Sequence, residues 1–129
     1  MAELLVPISP GELIDKITIL EIKSERIRDP QKLANVRREL ELLRATWAAS
    51  PLAQRDVTEL VAGLRAANET LWEIEDRLRA CEAEQRFDAG FVELARTVYR
   101  TNDRRAAIKR QINLRFGSDL LEEKSYTPY

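Results

Sequence analysis

The last third of the chain carries apolar residues at helical spacing, and polar residues share the same side of that helix. The apolar positions are Phe91, Ala95, Val98, Ile112 and Phe116. The polar positions between and beside them are Asn102, Arg105, Lys109 and Asn113. Because polar side chains are costly to bury without partners, this side of the helix faces either a complementary polar surface or a ligand.

Helix-start signals divide the chain into four predicted helices. The starts are Ser9-Pro10, Asp29-Pro30, Ser50-Pro51 and Asp88. Serine and aspartate side chains cap the first backbone N–H groups of a helix, and proline fits the first helical position. Asp56 and Glu59 offer a second possible start for the third helix. The fourth helix is predicted to end at Gly117, because glycine adopts a left-handed cap at little cost.

The third helix keeps its apolar residues in one register. They are Val57, Leu60, Leu64, Ala67, Leu71, Ile74, Leu78 and Cys81. This coiled-coil-like seam pairs with the fourth helix across a short turn around residues 86–90. The sequence therefore predicts an all-α fold, a four-helix antiparallel arrangement dominated by a long helix 3–helix 4 hairpin, in a single helical domain over residues 1–129.

Charge is divided unequally between the two helices of this hairpin. Residues 57–85 hold seven acids and three arginines, whereas residues 91–116 hold seven bases and two acids. The division predicts an acidic helix packed against a basic one, which explains the basic run without nucleic acid. The net charge of −1 also argues against general attraction to nucleic acid or to membrane surfaces.

Composition excludes several kinds of site. The chain has no histidine and one cysteine, Cys81, which removes the usual triads, the commonest metal ligand and any cysteine cluster. Two E-x-x-D pairs, Glu12/Asp15 and Glu73/Asp76, have a spacing that suits Mg²⁺, but helical projection points both towards solvent. The N-terminus lacks the features of a signal peptide, and no window approaches the ~20 apolar residues of a membrane span. We therefore expect a cytoplasmic protein without metal or cofactor.

The first helix is apolar on two sides. One stripe contains Leu13, Ile17, Leu20 and Ile27. Ile19 and Ile22 lie on the opposite side. Such a helix is either central in the fold or covered by a second subunit. We predict a homodimer formed through helix 1, with the central position as the alternative.

The hairpin register brings two polar rows face to face. The candidate ligand-binding residues are Asn68, Glu75, Arg79, Asn102, Arg105, Lys109 and Asn113. In one interpretation, Arg79, Arg105 and Lys109 hold a phosphate or carboxylate. In the other, Arg105 pairs with Glu75 in a buried network that fixes the register. Neither interpretation assigns a catalytic residue.

Several segments resemble a small bacterial family of uncharacterised proteins, described as a domain of unknown function. The segments are SPGELIDKITILEIKSERI (9–27), NETLWEIEDRLR (68–79), FVELARTVYRTNDRRAAIKRQIN (91–113) and GSDLLEEKSY (117–126). The resemblance implies a compact, mainly helical, stand-alone bacterial protein. It supplies no activity, cofactor or catalytic residue.

The sequence favours a non-enzymatic helical interaction or assembly module that self-associates. The alternative is a small all-α enzyme or anion-binding protein that uses the Arg/Lys/Asn/Glu face to hold a phosphorylated or carboxylated metabolite. LRAANETLWEIEDRL (64–78) distantly resembles a helix of all-α chorismate mutases, which work through arginines and a lysine. Electrostatic catalysis of that kind needs no histidine.

Overall fold

The computed structural model describes residues 2–129 and contains four α-helices and one 3-10 turn. The elements are α1 (Pro10–Arg26), α2 (Pro30–Ala49), the 3-10 turn (Pro51–Gln54), α3 (Thr58–Ala83) and α4 (Ala89–Phe116). None of the residues 2–129 forms a β-strand, and α3 and α4 share the most extensive helix contact. The predicted all-α hairpin arrangement is thereby confirmed. Residue 1, which the predicted domain includes, lies outside the described residues.

Three of the four predicted helix starts are confirmed. The side chains of Ser9, Asp29 and Asp88 each accept a hydrogen bond from a backbone N–H in the first turn of their helix. The predicted end of α4 is also confirmed, since Gly117 has a φ of 67° in the left-handed region. None of the helices in residues 2–129 combines the length and hydrophobicity that a membrane span requires.

The predicted start of the third helix at Ser50-Pro51 is wrong. These residues open only the 3-10 turn, after which Arg55 is extended and donates a hydrogen bond to the Arg115 carbonyl at 2.9 Å. The helix begins instead at Thr58, whose backbone N–H and hydroxyl donate to Asp56 Oδ1 at 3.0 and 2.7 Å. The second possible start at Asp56 is therefore the one that the chain uses.

Helix α1 occupies the centre of the fold, because it packs against α2, α3 and α4. Leu13 and Leu20 of the predicted stripe are buried, and so is Ile22 on the opposite side. Burial of Ile22 within one chain explains the second apolar side without a second subunit. Dimerisation through α1 stays a prediction, which now depends on the partly exposed Ile19.

The largest apolar cluster joins the N-terminal half of α1 to α3 and to the end of α4. Its buried members are Ile14, Val57, Leu64, Ile112 and Phe116. Trp47 near the end of α2 packs edge-on against Phe116, with 5.7 Å between the ring centroids. The open end of the hairpin, where α3 begins and α4 ends, is thus tied to α1 and α2 through aliphatic and aromatic contacts.

At Gly11 the backbone of α1 lies close against α4. A Cβ at this position would lie 2.7 Å from the Lys109 carbonyl oxygen and 2.8 Å from Asn113 Oδ1. The Gly11 N–H donates to Asn113 Oδ1 at 2.7 Å, a buried hydrogen bond. Glycine therefore permits the contact through which the start of α1 reaches the helix that carries the polar face.

We expect Gly11→Ala to destabilise the protein by about 1–3 kcal/mol, because the added methyl group forces α1 away from the α4 backbone. Gly63→Ala is the matched control: its Cβ would lie 3.4 Å from Ile108, an ordinary contact, and alanine is the better helix former. Urea denaturation measures both variants. Equal stability of the two would show that the close approach at Gly11 has no energetic consequence.

Candidate functional site

A buried carboxylate, Asp15, lies at the centre of a polar cluster formed by α1, α3 and α4. Its side chain is 1% exposed. Arg105 of α4 donates to both carboxylate oxygens, from Nε to Oδ1 at 2.9 Å and from a terminal guanidinium nitrogen to Oδ2. Asn68 of α3 donates to Oδ1, also at 2.9 Å. One side chain of α1 therefore binds both helices of the hairpin.

Neighbouring amide and hydroxyl groups complete the cluster. The Asn68 amide donates a second hydrogen bond to Thr18 Oγ1 at 2.9 Å, and the Thr18 hydroxyl donates to the Asp15 carbonyl at 2.8 Å. Among residues 2–129, every buried side-chain nitrogen and oxygen has a hydrogen-bond partner. Each buried side-chain polar atom of the cluster therefore has at least one partner, which offsets the cost of removing it from water.

Lys109 lies beside Asp15 and is 8% exposed. Its Nζ is 2.8 Å from Glu12, 3.8 Å from Asp15 and 3.6 Å from Glu122. Two of these carboxylates come from α1 and one from the segment after α4. A single ammonium group is thus shared by three acidic side chains.

The charges around Asp15 and Arg105 favour their ionised forms. Burial alone would raise the pKa of Asp15, but hydrogen bonds from Arg105 and Asn68 and the nearby charges of Arg105 and Lys109 outweigh it and lower that pKa. The hydrogen bond to Asp15 in turn raises the pKa of Arg105 against its own desolvation. The pair is a charged ion pair at neutral pH.

Residues 118–129, named here the C-terminal segment, run back along α4. Glu123 pairs with Arg110 at 3.0 Å. The Tyr129 hydroxyl donates to Asp103, and the Tyr129 ring packs edge-on against Tyr99 at 5.1 Å. The segment therefore places its carboxylates on the basic side of α4.

The structure brings together four of the seven candidate residues. Asn68, Arg105 and Lys109 lie in the cluster, and Asn102 lies at its edge, 3.5 Å from Arg105. Asn113 is buried but binds the Gly11 N–H instead. Glu75 and Arg79 do not join it: their side chains are 53% and 81% exposed and lie 3.7 Å apart on the surface of α3. The predicted Arg105–Glu75 pair is wrong, because α1 packs against both helices of the hairpin and supplies Asp15 instead.

Sequence reasoning missed the acidic half of the cluster. Asp15 was expected to point towards solvent, and the structure shows the opposite. The signal was available, because Asp15 shares a helical face with Gly11, Ile14, Thr18 and Ile22, which are all buried. The apolar stripe through Leu13 and Leu20 is more conspicuous in the sequence, but both faces of α1 are buried.

The acidic α3 packs against the basic α4, as predicted, but the charges of the two helices do not pair with each other. Within residues 2–129, no salt bridge joins these two helices. Arg105, Lys109 and Arg110 of α4 pair instead with α1 and the C-terminal segment. Arg65 of α3 pairs with Glu25 of α1 at 2.5 Å. The same part of the chain contains no group of three histidine, cysteine or acidic residues placed to hold a metal ion.

Two cavities adjoin the cluster on either side of Arg105. The α1–α3 cavity has a volume of about 420 Å³ and is lined by Ile19, Ile22, Asn68, Leu71, Trp72, Glu75, Asp76, Arg79 and Arg105. The polar cavity, about 160 Å³, is lined by Glu12, Asn102, Arg105, Ala106, Lys109, Glu122 and Lys124. The first is predominantly apolar and the second almost wholly polar, so they suit different occupants.

Comparison with known proteins identifies a family but no characterised relative. A family model described as a family of unknown function (DUF6165) matches residues 4–129. No curated protein matches the chain, and no solved structure does. The match covers all four helices and the C-terminal segment, so the Asp15 cluster and both cavities lie within the family's extent.

We expect Arg105→Met to destabilise the protein by about 3 kcal/mol, because it leaves the buried Asp15 carboxylate without its hydrogen-bonded cation. Adding Asp15→Asn to this variant removes the unpaired charge and should restore part of the loss. Arg104→Met, at an exposed neighbouring arginine, is the control and should change stability by less than about 0.5 kcal/mol. Urea denaturation tests all three, and an Arg105→Met protein as stable as the control would contradict the assignment.

We expect acid to weaken the fold partly through Asp15. The folded-state pKa of Asp15 is lowered, so its stabilisation is present above the unfolded value of about 3.9 and is lost as pH falls through the folded value. Asp15→Asn should therefore be less stable than the parent at pH 7, and the difference should narrow below about pH 4. Denaturant titrations across pH measure it. A difference that stays constant with pH would rule out an ionised Asp15 in the folded protein.

Proposed function

We propose that this chain, which belongs to the family of unknown function DUF6165, is a non-enzymatic helical interaction module that self-associates through α1. One observation carries the proposal. The ionic groups of the inner face bind one another, whereas the apolar α1–α3 cavity is open. The polar cluster then serves the fold, and association takes place at the apolar surface.

The internal pairing of the cluster supports a structural role. The carboxylates of Glu12, Asp15 and Glu122 pair with the cations of Arg105 and Lys109. A ligand that replaced Asp15 on Arg105 would have to break the two hydrogen bonds that join this pair. That separation is costly, because Asp15 is buried and would keep only Asn68 and the more distant Lys109 as partners.

The lining of the α1–α3 cavity supports an interaction surface. Trp72 and Leu71 of α3 and Ile19 of α1 are partly exposed around it. Aromatic and aliphatic side chains in a concave setting are typical of the central contacts of protein interfaces. Because Ile19 contributes one wall, an occupant of the cavity contacts α1.

A bacterial and cytoplasmic setting is part of the same proposal. It rests on the resemblance of residues 9–27 and 91–113 to a bacterial family and on the use of a single, buried cysteine.

The wild-type protein should sediment as a dimer at tens of micromolar. Ile19→Glu should be monomeric, because a carboxylate in the cavity wall opposes apolar contact. Leu42→Glu on the exposed side of α2 is the matched control and should remain dimeric. Sedimentation velocity gives the molar mass, and circular dichroism confirms that each variant is helical. A monomeric wild type, or the same behaviour in both variants, would refute self-association through α1.

The polar cavity favours a second candidate function, the binding of a small anion. Arg105, Lys109 and Lys124 all line it, and Glu122 of the C-terminal segment places a carboxylate 3.6 Å from Lys109. An anionic metabolite would take the position of this carboxylate. Asn102 and the outer side of Arg105 would add hydrogen bonds.

Inorganic phosphate distinguishes the two candidates. We expect phosphate to raise the Tm no more than sodium chloride of equal ionic strength does, because Lys109 is already shared by three carboxylates. The same titration of Glu122→Gln, with Glu123→Gln as control, removes the internal competitor. A phosphate-specific rise in the Glu122→Gln protein, absent from the control, would favour anion binding over the structural role of the cluster.

A further inference from the structure

The residues before α1 form an apolar arm that the rest of residues 2–129 leaves largely exposed. In residues 2–8, named here the N-terminal arm, Leu4, Leu5 and Val6 are 92%, 93% and 68% exposed. No charged residue lies between Glu3 and Glu12. Single exposed apolar residues are ordinary, but a contiguous run marks a contact surface. Burying each of these side chains is favourable, so the arm lacks its partner.

The α1–α3 cavity is an open apolar space that could accommodate such side chains. Ile22, Leu71 and Trp72 provide apolar walls, and no segment of the described chain fills the space between them. Its volume of about 420 Å³ falls within the range of roughly 300–1,000 Å³ typical of binding sites. A few aliphatic side chains fit a space of this size. An exposed apolar segment and an open apolar cavity therefore occur on the same molecule.

We propose that the N-terminal arm of one copy fills the α1–α3 cavity of a second copy, and that the exchange is reciprocal. The inference rests on the proposed function, because it names the occupant of the cavity through which the module self-associates. Leu4, Leu5 and Val6 supply the inserted side chains, and the second copy supplies the apolar walls.

The placement of the arm favours a second copy over its own cavity. Ile19 and Ile22 follow Pro10 by nine and twelve positions, which is about 14–18 Å along the helix. To reach its own cavity, the arm would have to reverse at Ser9 and run back beside α1. Two α1 helices packed antiparallel about a two-fold axis place each arm beside the far half of its partner helix. Seven extended residues span about 23 Å, which covers the distance.

Pro7 adds to this geometry. Proline fixes its own φ and restricts the preceding residue, Val6, to extended conformations. The arm therefore leaves α1 as an extended strand rather than as an added helical turn. Less conformational entropy is lost when such a segment binds.

Disulfide trapping between two different chains tests the exchange directly. Leu5→Cys and Ile19→Cys are made separately in a Cys81→Ser background, mixed and oxidised. We expect a mixed disulfide that joins the two chains, identified by mass spectrometry of the linked peptides. Leu42→Cys, exposed on α2, replaces Ile19→Cys in the control mixture and should give no such link with Leu5→Cys above the background of random collisions.

A second variant tests the energetic role of the arm. Leu4→Ser, Leu5→Ser and Val6→Ser together should weaken dimerisation roughly 100-fold or more, because apolar burial at both arms is lost. Since the three residues are exposed in one chain, the substitutions leave the helical fold intact. The control replaces three residues that are exposed outside the arm, again by serine, and should leave the affinity of dimerisation unchanged. They are Leu42, Val92 and Leu114.

The outcomes separate this inference from the proposed function. A mixed disulfide together with loss of the dimer in the arm variant supports the exchange. A dimeric protein without the mixed disulfide, or one that stays dimeric in the arm variant, overturns the exchange and leaves self-association through α1 standing. A link found only within one chain, in the Leu5→Cys/Ile19→Cys double variant, also overturns it. A monomeric wild type overturns both.

Discussion

The burial of one carboxylate sets the arrangement of the helices. Asp15 is almost wholly excluded from solvent, and a charge in that position is tolerable only when it is paired and hydrogen-bonded. Arg105 and Asn68 meet that requirement from two different helices. The α3–α4 hairpin must therefore place the Arg105 and Asn68 side chains at the same position along α1, beside Asp15. A different register or rotation of any of the three helices would leave the charge without partners.

This constraint explains why α1, rather than the hairpin alone, organises the chain. Every salt bridge that joins two different helices within residues 2–129 includes α1. Gly11 lets the start of α1 lie against α4, which brings Glu12 to Lys109. Apolar packing supplies most of the driving force for folding, but it is not directional. The hydrogen bonds and ion pairs of α1 are directional. They therefore select one packing orientation of α1 among those that its two apolar sides would allow.

The sequence was enough to predict those features of the fold that depend on local interactions. The caps at Ser9, Asp29 and Asp88 act within one helical turn, so residue type and spacing were enough to place them. The start of α3 was harder, because Arg55 forms a contact with Arg115 at the far end of the chain. The predicted partner of Arg105 was wrong for the same reason. The hairpin register identifies the residues of α3 that lie opposite Arg105, whereas its partner belongs to α1. Charge counts by helix likewise did not identify the ion-pair partners, which lie on α1.

The division of polar and apolar groups in the finished fold bears on function. In a ligand-binding site, polar groups converge on a cavity and form their hydrogen bonds with the ligand. Here the convergent groups around Asp15 already satisfy one another, and they resemble the inside of a protein more than a binding site. Among residues 2–129, apolar groups stay exposed to water at two places, the arm at Leu4–Val6 and the cavity beside Trp72. Because water disfavours both surfaces, contact of either one with another apolar surface is favourable.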